Sequence, residues 1–246
     1  MPKISKDRRP AILYCGDDTL AQAARYLYGV LRYLGWQVRY LPSQRRLSVR
    51  HLSREYAAII LSDYPSRMIE RTAWPVLTDK IRQGTGLLMI GGWGSFHGYD
   101  GNYERTPLAG ILPVRCLNSD DRVNAMQGAV IIPEKMALRN SPIIFGYNKV
   151  KIKPGVQTLL SVRQLKIDLP RIHLQGKKDP LLVTGNYGAG RIVCFMSDLA
   201  PHWAGGLPDW GRSKVRFPGA QGHYMELGAA YIHLINNLIK LSQRSR

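Results

Sequence analysis

Cysteine is scarce in this 246-residue sequence, which contains only Cys15, Cys116 and Cys194, far apart from one another. An odd number of widely spaced cysteines offers no disulfide framework, and two of the three lie inside apolar segments typical of buried strands. We therefore expect free thiols and a cytoplasmic protein. His97, His202 and His223 lie in loop-like segments, with Asp100, Asp198 and Asp209 near them in sequence, but no two of these residues occur at metal-ligand spacing on a single element. We therefore expect no metal site.

Long apolar runs are also missing. No stretch approaches the roughly 18 residues that a transmembrane helix needs. The first ten residues are basic, but they contain neither the apolar segment nor the small-residue cleavage site of a signal peptide. These absences again favour the cytoplasm, without association with a membrane.

Acidic residues are few, with 17 Asp and Glu against 35 Lys and Arg, which gives a formal net charge of +18. Such a charge is compatible with a basic module that binds a polyanion. The basic residues are scattered, however, and no zinc-finger spacing or aromatic RNA-binding motif accompanies them, which makes nucleic acid an unfavoured partner. Nor is there a G-x-G-x-x-G motif or a Walker lysine, so we expect no cofactor.

Strands and helices alternate through the first part of the chain. This alternation predicts an α/β fold with a mostly parallel sheet and right-handed crossovers. The predicted strands cover 11–15, 36–41, 56–63 and 86–90, and the predicted helices cover about 20–34, capped by Asp18 or Thr19, and 72–83.

Helical periodicity disappears from about residue 98 to residue 180, where short strand-like segments and prolines replace it. A predicted hairpin over 181–198 and a predicted helix over about 224–241 follow. Because the α/β pattern resumes after it, we interpret 98–180 as a β-rich insertion in a single domain that spans residues 1–246.

A glycine-rich turn follows the strand at 86–90. Ligands of open α/β sheets bind at the carboxyl ends of the strands, so this turn is the expected site. Its Ser95 comes one position too early for a G-x-S-x-G nucleophile elbow and is expected to form hydrogen bonds within the turn. The residues that we expect to contact a ligand are Gly91, Gly92, Trp93, Gly94, Ser95, Asp17 and Trp203.

Asp198 and His202 are the candidate catalytic residues. An Asp close to a His can orient the imidazole and stabilise its charged form for acid–base chemistry. The alternative is that both side chains only cap or pair with backbone amides. Several aromatic residues either line a pocket here or pack beneath the long loops, namely Trp93, Phe96, Tyr99, Tyr103, Trp203 and Trp210.

Several short motifs, in this order along the chain, resemble a known family. They are Gly86-Leu87-Leu88-Met89-Ile90-Gly91-Gly92, Thr106-Pro107-Leu108 with Leu112-Pro113-Val114, Gly188-Ala189-Gly190-Arg191, and Ser197-Asp198 with His202-Trp203. The sequence thus resembles the glutamine amidotransferase-like family of bacterial proteins, which has the class I glutamine amidotransferase-like fold. The resemblance implies a flavodoxin-like three-layer sandwich.

The resemblance also implies where a catalytic triad would lie. In class I amidotransferases a cysteine at the elbow attacks the glutamine amide, and a late His, with a Glu two residues after it, activates that cysteine. Here the elbow position falls on Gly91 or Gly92, and Trp203 and Ala204 follow His202. Since glycine cannot form a thioester, glutamine hydrolysis by this mechanism is not expected.

The sequence therefore predicts an amidotransferase-like protein without the Cys-His-Glu triad. We expect it to bind a small polar molecule or a protein partner at the strand ends, and it is a possible homo-oligomer. Two alternatives stay open. One is a hydrolase or residual amidotransferase that uses Asp198 and His202, and the other is the basic polyanion-binding module.

Overall fold

A mixed sheet of nine strands forms the centre of the computed structural model, which describes residues 10–243. The basic residues 1–9 of the sequence analysis lie outside this range. The strands are β1 (Ala11–Gly16), β2 (Val38–Leu41), β3 (Tyr56–Ser62), β4 (Gly86–Ile90), β5 (Val114–Cys116), β6 (Arg122–Pro133), β7 (Ile144–Asn148), β8 (Val150–Ile152), β9 (Gln157–Asp168), β10 (Arg171–Tyr187), β11 (Gly190–Phe195), β12 (Lys214–Pro218) and β13 (Tyr224–Gly228), and the helices are α1 (Ala24–Tyr33), α2 (Ala73–Gln83), α3 (Leu108–Ile111), α4 (Pro201–Ala204) and α5 (Ala229–Ser242).

The strand order in the sheet is β2-β1-β3-β4-β11-β10-β9-β6-β7. The strands from β2 to β11 pair in parallel, and β10, β9, β6 and β7 continue the sheet in antiparallel pairings. Two smaller sheets, β5 with β8 and β12 with β13, lie outside it. The predicted α/β class is confirmed, and the β-rich segment supplies most of the antiparallel half of the main sheet.

Helices cover both faces of the sheet and give it the predicted three layers. Alternate residues of β1 point to opposite faces, so Ile12 and Tyr14 join one buried cluster, while Leu13 and Cys15 join the other. The apolar sides of α1 and α5 complete the first cluster, and that of α2 completes the second. Among the described residues, no helix is long and apolar enough to span a membrane.

The helix predicted from residue 20 begins only at Ala24. Asp17 and Asp18 adopt left-handed backbone angles, with φ of 53° and 57°, and the Asp17 carbonyl accepts a hydrogen bond from the Ala24 amide at 2.9 Å. The chain therefore turns once more before α1 starts. Its N-cap is Ala23, without a side-chain hydrogen bond, so the predicted cap at Asp18 or Thr19 is wrong.

The helix predicted over 224–241 is also shorter at its start. Its first five residues form β13 instead, which pairs with β12 from Pro218↔Tyr224 to Lys214↔Gly228. This hairpin packs on α1 at Gly29, where a β-carbon would lie 2.8 Å from the Met225 sulfur. The sequence pattern of this segment predicts a helix, but pairing with β12 and packing on α1 hold the segment as a strand.

The predicted hairpin over 181–198 is confirmed by β10 and β11, which pair as far as Tyr187↔Gly190 at the turn. The second strand then lies parallel to β4, with Phe195 opposite Ile90. This pairing places the residues that follow Phe195 beside the glycine-rich turn.

Gly86, at the start of β4, lies directly beneath the last residue of α5. A β-carbon at Gly86 would lie 2.0 Å from the Ser242 carbonyl oxygen. A β-carbon at Gly110, in contrast, would have no neighbouring atom within 4 Å. We expect Gly86→Ala to lower the free energy of unfolding by about 1–3 kcal/mol through overpacking. The control Gly110→Ala should change it by less than about 0.5 kcal/mol. Urea denaturation measures both, and equal stability of the two variants would contradict the packing described here.

Candidate functional site at the carboxyl ends of the parallel strands

The carboxyl ends of four parallel strands lie side by side at one edge of the sheet. In the register, Gly16 is opposite Ser62, and Ile90 is opposite both Ser62 and Phe195. The loops that leave these strands therefore converge on one area. In open α/β sheets this edge is where ligands bind.

The loop after β4 is held down by side chains from other parts of the chain. The Ser95 hydroxyl donates to the Ile90 carbonyl at 2.6 Å and accepts from the Asp63 amide at 3.1 Å. In return, the Asp63 carboxylate accepts a hydrogen bond from the Gly94 amide. Ser95 is 1 % exposed, and its hydroxyl forms the hydrogen bonds within the turn that the sequence predicts.

Asn148, at the end of β7, holds the same loop through hydrogen bonds of its side-chain amide. Its side-chain oxygen accepts from the Gly92 amide at 2.9 Å, and its amide nitrogen donates to the Gly92 carbonyl at 3.1 Å and to Asp121 Oδ1 at 2.7 Å. Asp121 accepts from the backbone amides of His97 and Gly98, both at 2.9 Å. We call Asn148 and Asp121 the clamp. Sequence reasoning missed both residues, because they lie in a β-rich segment more than 20 positions from the turn.

Neither glycine at the elbow leaves space for a side chain. A β-carbon at Gly91 would lie 2.2 Å from the Met196 carbonyl oxygen and 2.8 Å from Asn148 Oδ1. At Gly92, which has a φ of 152°, it would lie 2.7 Å from Asp63 Oδ1. Cβ atoms essentially never come so close to other atoms, so the elbow is closed to any residue larger than glycine.

The three thiols lie elsewhere. Cys15 and Cys194 are fully buried in the apolar cluster on the α2 face, and Cys116 packs against that cluster. Burial raises the pKa of each thiol, in the case of Cys116 to about 12. The reactive thiolate form is therefore disfavoured at all three positions.

The carboxylate of Asp17 is buried below the strand ends. The Ser62 hydroxyl donates to its Oδ1 at 3.0 Å, and the Tyr14 hydroxyl donates to its Oδ2. Burial, together with the nearby carboxylate of Asp198, raises the pKa of Asp17. Because Asp17 is only 4 % exposed, this expected ligand contact lies beneath the surface.

Asp198 accepts a hydrogen bond from the Ala200 amide at 2.8 Å, just before α4. Burial raises its pKa to about 7, and the carboxylate of Asp63 contributes in the same direction. His202 is exposed on α4, and its ring lies 6.0 Å from that of Trp93. Among the described residues, no hydrogen bond or ion pair joins Asp198 to His202.

Trp203 does not face solvent. It is 1 % exposed, its indole N–H donates to Asn124 Oδ1 at 3.0 Å, and it packs against Gly146. Phe96 and Tyr103 are fully buried as well. The expectation that Trp203 contacts a ligand is therefore not supported by its position, and for these three rings packing is the observed role.

An open groove of about 430 Å³ remains beside the turn. Trp93 and Gly94 are the members of the expected ligand-binding set that line it. Sequence reasoning did not propose Asp63 as a ligand contact, although it directly follows a predicted strand. The lining consists of Asp18, Ser43, Gln44, Asp63, Pro65, Arg67, Met68, Trp93, Gly94, Tyr99 and Asp100.

Aromatic rings form the exposed wall of this groove. Trp93 is 46 % and Tyr99 is 74 % exposed. The guanidinium of Arg122 lies 4.3 Å from the ring centre of Trp93 and 5.2 Å from that of Tyr99, and Asp120 binds the same guanidinium through two oxygens. These contacts fix the orientation of both rings. Within residues 10–243 no group of three or more His, Cys, Asp or Glu side chains is arranged to hold a metal ion.

Comparison with known proteins agrees with this architecture. Two solved structures are similar over almost the whole chain. The cytoplasmic protein STM3548 from Salmonella typhimurium has 25 % sequence identity and a TM-score of 0.74, and the match covers 96 % of this chain and 100 % of that one. The cytoplasmic protein STM1381 from Salmonella typhimurium LT2 has 28 % identity and a TM-score of 0.69, and the match covers 95 % of this chain and 100 % of that one. A β-galactosidase from Rahnella sp. R3 shares the fold alone, at 12 % identity and a TM-score of 0.51 over 77 % of this chain and 29 % of its own. Among curated proteins, none matches the chain.

A family model described as "Putative glutamine amidotransferase" matches residues 16–215, which include the first strand end, the glycine turn and α4. The match covers most of the chain, and it spans the strands whose carboxyl ends form the groove. The chain therefore belongs to the glutamine amidotransferase-like family.

Proposed function

We propose that this protein binds a small polar molecule in the groove beside the glycine turn and does not hydrolyse glutamine through a cysteine. The observation that carries the proposal is the groove itself, which lies at the carboxyl ends of β1, β3 and β4 and presents a half-exposed tryptophan. We place the protein in the cytoplasm, the location that the names of both Salmonella relatives give.

The groove is lined by hydrogen-bond acceptors and aromatic faces. The carboxylates of Asp18 and Asp63 accept hydrogen bonds and attract positive charge, while Trp93 and Tyr99 offer flat apolar surfaces. Asp100 is already paired with Arg67 at the groove edge. This combination suits a ligand that carries hydroxyl or amine donors on a compact, partly apolar body.

Three features support the proposed loss of the thiol mechanism. The elbow carries glycine, the space for a β-carbon there is filled, and the three thiols lie in or against an apolar cluster with raised pKa values. A thioester therefore has neither a nucleophile nor a place at the elbow.

Acid–base hydrolysis through Asp198 is the second candidate function. Burial raises the pKa of its carboxyl to about 7, which suits a general base. No hydrogen bond or ion pair joins it to His202 among the described residues, and its Oδ1 already accepts a hydrogen bond from the Ala200 amide. Ligand binding thus has more support than hydrolysis.

Glutaminase assays test the loss of the thiol mechanism. We expect ammonia release from glutamine to stay at the background rate in the unmodified protein, and equally in the combined variant Cys15→Ala, Cys116→Ala and Cys194→Ala. Turnover that disappears when a single cysteine is replaced would overturn this part of the proposal.

Thermal-shift measurements with amino acids, polyamines, monosaccharides and nucleosides test ligand binding in the groove. We expect one class to raise the Tm of the unmodified protein. Trp93→Ala and Asp63→Asn should each weaken that binding at least about tenfold, equivalent to about 1.4 kcal/mol. Tyr33→Ala, which removes a similarly exposed ring on α1, is the control. A ligand whose effect survives both groove substitutions, or the absence of any stabilising ligand, would contradict the proposal.

The raised pKa of Asp198 predicts a pH-dependent stability. Between about pH 4 and pH 7 the folded state holds a proton on Asp198 that the unfolded chain has lost, so this residue makes the protein less stable as the pH rises through that window. Asp198→Asn keeps an acceptor for the Ala200 amide and removes the charge. One pKa unit corresponds to about 1.4 kcal/mol, or about 3 to 6 °C in Tm for a domain of this size.

We therefore expect Asp198→Asn to unfold at least about 3 °C above the unmodified protein at pH 8, and at the same temperature as it at pH 4. The control is Glu55→Gln, at a side chain that is 86 % exposed, which should show no gain that grows with pH. A constant difference between Asp198→Asn and the unmodified protein at both pH values would refute the assignment.

A further inference from the structure

The hairpin of β9 and β10 continues past the sheet as an arm, which we define as residues 165–174. The last pair between β9 and β6 at this end is Gln164 with Ala129, but β9 and β10 stay paired up to Asp168↔Arg171. A register shift between Gln175 and Asp179 separates the arm from the rest of β10. No helix of the described chain makes substantial contact with either strand of the arm.

One face of the arm is aliphatic. Leu165 is paired with Leu174, and Ile167 with Ile172, so all four side chains lie on the same face. Ile172 is 65 % exposed, and Leu169 at the tip is 87 % exposed. Leu165 and Leu174 are half-buried, so the exposed aliphatic side chains of the arm are Ile167, Leu169 and Ile172. Three such side chains at one end of a protein indicate an interaction surface.

Met126 extends the same area from the neighbouring strand. The side chain of Gln127, the next residue, binds both the amide and the carbonyl of Ile167, at 3.1 and 3.4 Å, and so keeps β6 beside the arm. Met126 is 88 % exposed. The apolar area thus includes a flexible side chain next to the arm.

The opposite face of the arm carries two basic residues, one histidine and one aspartate. It carries Lys166 opposite His173, and Arg171 opposite Asp168. Lys166 pairs with Asp168 at 3.1 Å, whereas no carboxylate among the described residues forms an ion pair with Arg171 or Lys177. Arg171 and Lys177 are therefore the basic groups at this end that no ion pair among the described residues neutralises.

The basic residues and the aliphatic face of the arm together indicate which partner this surface fits. A second copy of the chain, with a net charge of +18, would be repelled. Nucleic acid would neutralise the basic residues but would leave most of the aliphatic face in water. An anionic lipid surface supplies both the negative charge and an apolar phase.

We propose that the arm binds the surface of an anionic lipid bilayer, with Leu169 and the aliphatic face inserted among the lipids and the basic residues in contact with the headgroups. This attachment is peripheral, involves no membrane-spanning segment, and is separate from the groove at the strand ends. It differs from the sequence-based expectation of no association with a membrane.

Co-sedimentation of the full chain with vesicles tests the proposal. We expect binding to equimolar phosphatidylglycerol and phosphatidylcholine vesicles and none to phosphatidylcholine alone. Leu169→Ser with Ile172→Ser should weaken binding at least about tenfold through lost apolar burial. Lys166→Gln with Arg171→Gln should weaken it about 30-fold, since each basic residue near the surface contributes about 1 kcal/mol.

Arg50→Gln with Arg54→Gln is the matched control, because it removes the same charge from an exposed segment between β2 and β3, at the other end of the strand order. It should retain most of the binding, and thermal unfolding should show that all variants fold. Equal weakening by the control would mean that net charge alone drives binding and would overturn the proposal.

Three other outcomes would overturn it as well. The first is no binding to the anionic vesicles. The second is binding to a short DNA duplex that depends on the arm and excludes the vesicles. The third is self-association in sedimentation equilibrium that Leu169→Ser with Ile172→Ser abolishes, which would assign the aliphatic face to a second copy.

Discussion

The buried side-chain amide of Asn148 is the contact on which the candidate site depends. It satisfies both the amide and the carbonyl of Gly92 and leaves one N–H for Asp121, which in turn holds the amides of His97 and Gly98. A glycine-rich loop has the highest conformational entropy to lose, and hydrogen bonds from a fully buried partner offset that cost. With the loop held in this way, Trp93 points outward and forms one wall of the groove.

Much of the fold could be predicted from local patterns. The buried strands, the second helix and the hairpin after residue 180 each have a periodicity or a turn signal of their own. The start of α5 could not be predicted, since Tyr224–Gly228 becomes a strand only by pairing with β12. The first helix begins late because Asp17 and Asp18 take left-handed angles, which is a property of the backbone and not of an apolar pattern.

The predicted site residues do come together at one edge of the sheet, and ligand binding there stays a prediction. The strand pattern did not indicate which of these side chains turn inward. Asp17, Ser95 and Trp203 are used to support loops, and their polar atoms are occupied within the chain. Asp63 and the clamp are distant in sequence from the turn, and only the folded arrangement brings them to it.

The missing space at Gly91 and Gly92 limits which substitutions these two positions of the chain accept. A cysteine at either position meets the Met196 carbonyl, the Asn148 amide or the Asp63 carboxylate, and the last two also support the loop. A single substitution that introduces the nucleophile therefore damages the scaffold that would have to present it. Under the proposed loss of the thiol mechanism, a cysteine at the elbow would therefore need compensating changes at these contacts as well.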